Sequence, residues 1–130
     1  MEPPVDAKLM KCETHFFWYD ENGILCAKNY KGKIPDLNTI SETVEFFKDK
    51  LNGEKACILL DFTNFTETTK EIREYINNEF PKIAKAVAMI SKNPLGRMMA
   101  NIFFSIRKQP YPSKLFENEK EATEWLKQYL

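Results

Sequence analysis

The chain carries one histidine, His15, and three cysteines, Cys12, Cys26 and Cys57. These few residues bound its nucleophilic and metal chemistry. A Ser-His-Asp or Cys-His arrangement needs a nucleophile beside an oriented base. Cys12-x-x-His15 lies in a stretch that reads as a strand, where successive side chains face opposite ways. The pair therefore does not converge on one proton or one ion, and with no second ligand cluster nearby no zinc site is expected. The 4 glycines are not spaced to form a phosphate-cradling loop, so no nucleotide and no other cofactor is expected. Most carboxylates fall on outward helix faces or in first helical turns, where solvation and the helix dipole account for them. No acid–base pair emerges, and the expectation is that the protein is not an enzyme.

What remains is a polar constellation behind two short apolar runs, Ala56–Leu60 and Ala86–Ile90. Asp61, Asn64 and Thr66 follow the first run; Ser91 and Asn93 follow the second, with Arg97 one turn into the next helix. If both runs are neighbouring interior strands, these residues share the crevice at the strands' carboxyl ends, where open α/β sheets place their sites. A helix N-terminus there suits an anion. Asn64, Thr68 and Asn93 have a second reason to exist, since such residues also cap helices and turns.

The elements that must hold this crevice follow from periodicity. Lys8–Tyr19 alternates as one strand, with Cys12, Thr14, Phe16 and Trp18 on one face. Asn22-Gly23 predicts a type I′ hairpin turn, and Ile24–Tyr30 the returning strand. Thr39-x-x-Glu42 is a capping-box pattern, and Ile40, Val44, Phe47 and Leu51 make an apolar helix stripe ended by Asn52-Gly53. Ala56–Leu60 suits a strand buried on both faces. Thr68-x-x-Glu71 has the capping form for the next helix, lined by Ile72, Tyr75, Ile76 and Phe80 and ended by Pro81. Ala86–Ile90 is the second interior strand. Asn93-Pro94 opens a helix over Leu95–Arg107, Lys114–Phe116 forms a short edge strand, and Asn118-x-x-Glu121 caps a last helix bearing Ala122, Trp125 and Leu126.

The order is β-β-α-β-α-β-α-β-α. Strands alternating with helices imply right-handed crossovers and parallel pairing. The fold class is α/β: a single-domain sandwich with a mixed, mainly parallel sheet of about five strands and helices on both faces. Residues 1–7, with two prolines, form a flexible lead-in to one domain over 8–130.

Composition narrows function further. The 19 basic residues equal the 19 acidic ones, which leaves no basic stripe for phosphates, so nucleic acid is not an expected partner. No run approaches the ~20 apolar residues of a membrane span, and the first residues have no apolar signal core. Unpaired cysteines fit a reduced, cytoplasmic protein. In the helix over Leu95–Arg107, at about 100° per residue, Leu95, Met98, Met99, Ile102, Phe103 and Ile106 cover one broad apolar side, while Phe104 falls roughly opposite. This surplus leaves Phe104 and Met98 against something other than the core. Phe104 and Met98 are thus the candidate contact for a partner protein or a second copy in a homodimer.

Four phrases, DENGIL, ILLDFTNFT, AVAMISKNPLGRMMANIFF and PYPSKLFENEKEATEWL, together resemble the bacterial STAS/SEC14-type small domains akin to anti-sigma-factor antagonists. The resemblance covers nearly the whole chain after the lead-in. It implies a STAS-like fold and a regulatory, non-enzymatic role in contact with another protein. In anti-sigma-factor antagonists a serine at the start of the helix after the central strand accepts phosphate from a kinase. The Asp-Ser pair is absent here, and Thr68 or Thr69 occupies its approximate place. The SEC14 side implies the alternative, a module binding a small lipid-like or anionic ligand in the crevice between Asn64 and Arg97.

Overall fold

The structure, a computed structural model, describes residues 1–64, 68–94, 96–98 and 110–130. Its sheet has six strands in sequential order: β1 (Met10–Lys11), β2 (His15–Tyr19), β3 (Leu25–Asn29), β4 (Ala56–Asp61), β5 (Ala84–Ile90) and β6 (Ser113–Phe116). The first two pairings are antiparallel and the remaining three parallel. Helix α1 (Leu37–Leu51) joins β3 to β4, and α2 (Lys70–Glu79), with a 3₁₀ turn at Phe80–Lys82, joins β4 to β5. Helix α3 (Glu119–Lys127) follows β6. The expected mixed, mainly parallel α/β sheet is observed, with one strand more than anticipated.

The extra strand comes from a break in the first one. Lys8–Tyr19 is two strands, because the chain reverses at Cys12, whose N–H donates to the His15 carbonyl at 2.8 Å. Met10 then pairs with Phe17. The reversal also breaks the alternation: Cys12 packs with Phe17 on one face, while Phe16 and Trp18 pack on the other. The hairpin turn differs as well. Gly23 has φ +83°, but among the described residues Asn52 is the one non-glycine at positive φ, so a type I′ turn is not formed. Asp20 shapes the turn instead, its Oδ1 accepting from the N–H groups of Asn22 and Ile24 at 2.8 and 2.9 Å.

Each face of the sheet buries its own core. On one face Phe17, Leu25, Ala27, Ile58, Val87 and Met89 meet Ile40, Val44 and Phe47 of α1 and Ile72 of α2. On the other, Trp18, Cys26, Leu59, Ala88 and Ile90 meet Ala122 and Leu126 of α3. Each fully buried Leu or Ile stabilises by about 1.5–3 kcal/mol relative to exposure. Phe17 meets Phe47 edge-on, with ring centroids 4.5 Å apart. Lys48 of α1 reaches Glu79 of α2 at 2.7 Å, tying the two helices together across their outer side.

Two N-caps lie away from the residues the capping pattern singled out. Asp36, not Thr39, caps α1. Its carboxylate accepts from the Thr39 N–H at 2.8 Å, and Thr39 serves as the reciprocal partner inside the helix. Thr69, not Thr68, caps α2, accepting from the Ile72 N–H at 3.2 Å. Asn118 caps α3 as expected. The lead-in lies against the second core: Met1 and Ala7 pack there, and Lys28 Nζ donates to the Met1 carbonyl and to Glu2.

Candidate functional site

The polar crevice residues behind β4 and β5 are brought close to one another and are bonded internally. Asp61 is 2% exposed and pairs in register with Ile90. Its Oδ1 accepts from the N–H and hydroxyl of Thr63. Its Oδ2 makes no hydrogen bond but faces two cations, the Met1 ammonium at 3.4 Å and Lys28 Nζ at 3.9 Å. Asn64 donates to the Asn29 carbonyl at 3.0 Å. Ser91 is fully buried and donates to the Asn93 carbonyl at 3.1 Å. Gly96 lies against Ser91 and the Phe62 carbonyl so closely that a Cβ there would collide with the serine hydroxyl. The described parts of the two loops thus touch at Phe62, Ser91 and Gly96. Arg97 is exposed and pairs with Glu117 at 2.7 Å. Met98 is exposed, whereas Thr66 and Phe104 lie outside the described residues.

The shift of the α2 cap from Thr68 to Thr69 matters for what lies beneath it. Released from capping, Thr68 turns its hydroxyl inward, where Oγ1 is buried and has no hydrogen-bond partner. It lines a cavity of about 110 Å³ at the carboxyl end of the sheet, on the α1–α2 face. The floor is Phe17, Ala27 and Leu60, consecutive partners across β2, β3 and β4. The walls are Ile40 and Val44 of α1, and Ile72 and Ile76 of α2. The physical origin of the space is in the floor: Ala27 offers one methyl between a phenylalanine and a leucine.

Among the described residues, three polar side chains reach this lining. Thr43 donates to the Thr39 carbonyl within α1 at 2.9 Å. His15 shares a 2.8 Å hydrogen bond between its Nδ1 and the Thr14 hydroxyl, and its ring stacks near Phe17. Burial pushes the His15 pKa down to about 4, so the imidazole is neutral at physiological pH. Thr68 is the third. Among the described residues, no carboxylate, ammonium or guanidinium group lines the cavity. A wider depression of about 560 Å³ adjoins it, sharing Pro35 and Ile72. This depression lies between the first turns of α1 and α2, where Asp36 and Glu71 supply negative charge and Ile34 and Leu37 are exposed.

Neither interior-strand pattern nor helix stripe announces this cavity. The available hints were Ala27 in the middle of a strand and a second threonine beside the capping one. Both are ordinary in sequence and acquire meaning only once the strands and helices are stacked.

Among the described residues no helix is long and apolar enough to cross a membrane. The fold is similar to that of an uncharacterised protein from the DUF3478 family with a SpoIIAA-like fold, from Shewanella loihica PV-4. That structure is 20% identical to this chain, with a TM-score of 0.58, over 97% of this chain and 98% of its own. The likeness shows a SpoIIAA-like, that is STAS-like, fold. A search of curated proteins finds no match. The family model described as a domain of unknown function (DUF7793) matches residues 17–130, and the chain belongs to that family.

Proposed function

We propose that this domain is a non-enzymatic binding module whose ligand is a small apolar molecule held between the sheet and the α1–α2 pair. The observation that carries the reading is the cavity of about 110 Å³ lined almost wholly by hydrocarbon. An apolar cavity of comparable size, about 150 Å³, stays dry and takes up benzene, so the space is of the right scale for a compact hydrophobic guest. The ligand site expected between Asn64 and Arg97 moves, on this reading, to the α1–α2 face, sharing only the loop after β4. Compact guests of about six non-hydrogen atoms are expected to bind with Kd about 0.1–1 mM.

Ala27→Leu tests this directly. The larger isobutyl side chain occupies the floor and should abolish binding of benzene in a protein-detected NMR titration, while the fold remains intact by circular dichroism. Unchanged benzene binding by this variant, or none by the wild type, refutes the reading.

A second reading, a regulatory protein contact or homodimer, is favoured by Met98, which is 51% exposed. Sedimentation of wild type and Met98→Glu decides it: a wild type that stays monomeric at high concentration removes the homodimer.

A further inference from the structure

We infer that Lys28 and Asp61 form a recognition site for the free amino end of a peptide, and that residue 1 of the chain occupies this site in cis. Asp61 holds the α-ammonium and Lys28 the first carbonyl. The site is separate from the apolar cavity and lies on the other side of the sheet. Lys28 of β3 and Asp61 of β4 are partners in register. Alternation along each strand turns both side chains to the face of Cys26 and Leu59, the face that α3 packs against.

The Asp61 side chain is fully buried, and its Oδ2 makes no hydrogen bond. A buried carboxylate is tolerated only where its charge is matched. Among the described residues two cations face this oxygen, Lys28 Nζ at 3.9 Å and, closer, the Met1 ammonium at 3.4 Å. Lys28 spends its hydrogen bonds elsewhere, donating to the Met1 carbonyl at 2.9 Å and to Glu2 at 2.8 Å. Met1 thus supplies an ammonium to the carboxylate and a carbonyl to the lysine, while its side chain packs against the second core. Those three contacts give the ligand class: a peptide with an unblocked amino group and an apolar first residue. The Glu2 carboxylate is 79% exposed, so its ion pair adds little to selection. A tethered occupant competes at an effective concentration in the millimolar range. An outside peptide therefore gains the site when the chain's own amino group is withdrawn from it.

The test uses the full chain and the same chain preceded by Gly-Ser, which moves the ammonium away from residue 1. Each is titrated at pH 7 with the peptide Met-Glu-Pro-Pro-Val and with its N-acetylated form, followed by protein-detected NMR. The extended chain should bind the free peptide at least about tenfold more tightly than the unextended chain does, because the tethered competitor is gone. It should also prefer the free peptide to the acetylated one by at least about tenfold, because acetylation leaves a buried carboxylate without its cation. Asp61→Asn in the extended chain should bring the two peptides within about twofold of each other. Equal binding of the free and acetylated peptides by the extended chain overturns the inference, as does binding of neither. That comparison needs no substitution, so it decides the matter even where Asp61→Asn unfolds the protein.

Discussion

Lowering the pH from 7 to 5 should cost the fold about 2 kcal/mol through His15 alone. The imidazole is half-buried, and desolvation pushes its pKa down to about 4 from an ordinary 6.5. Between those values the unfolded chain binds a proton that the folded chain refuses, so stability falls as the pH falls. Above 6.5 the effect vanishes, and below 4 it levels off at about 3.4 kcal/mol, the full shift at 1.36 kcal/mol per unit. Other acid-sensitive groups act in the same direction. The Glu79 carboxyl, for one, is held low by its hydrogen bond from Lys48, and its contribution is present above pH 4.5 and lost as the pH falls through its folded value. The assay therefore compares wild type with His15→Gln by urea unfolding at both pH values, with equal m-values confirming a common transition. The wild type should lose about 2 kcal/mol more than the variant between pH 7 and pH 5. Because His15 is the one histidine, its ring proton resonances titrate without ambiguity. Equal losses in the two proteins, or an imidazole titrating near 6.5, would refute the reasoning.

Two further substitutions read the packing around the candidate site. Thr68→Val replaces an unpartnered buried hydroxyl with a methyl of similar shape, and should raise the stability of the unliganded protein by about 1 kcal/mol, measured by urea unfolding; a loss of that size would mean the hydroxyl is paired in solution. Gly96→Ala drives a Cβ into the Ser91 hydroxyl and toward the Phe62 carbonyl, 3.1 Å from it, and should cost about 1–3 kcal/mol. Pairing it with Ser91→Gly removes the nearer obstacle, and thermal unfolding should recover part of the loss.

Much of the architecture was legible in the sequence because it rests on local chemistry. Ala56–Leu60 and Ala86–Ile90 are apolar on both sides, as strands covered on both faces must be, and their parallel pairing follows from the helix between them. The α1 stripe of Ile40, Val44 and Phe47 faces the core it was expected to face. The shared α/β sandwich and its STAS-like character rest on such patterns. The misplacements are local too, and instructive. The motif Thr-x-x-Glu fitted Thr39 and Thr68, yet Asp36 and Thr69 do the capping. Several adjacent residues can satisfy the same amide, and only the direction in which the preceding loop enters the helix chooses among them. Lys8–Tyr19 alternates like one strand, but pairing between its own halves, Met10 with Phe17, is a contact that periodicity does not encode.

The site illustrates the same division. By themselves the residues determined that polar groups gather where β4 and β5 end, and that histidine and cysteine chemistry is sparse. Tertiary structure alone decided that Asp61, Asn64 and Ser91 spend their polarity on neighbours, and that space is left on the α1–α2 face instead. A cavity is a difference between large volumes contributed by separate elements, here Ala27 between Phe17 and Leu60 beneath two helices. No local stretch of chain carries that difference. Thr68 gains its unpartnered hydroxyl only when Thr69 takes the cap, which is why the residue looked structural in sequence and stands at the cavity wall in the fold.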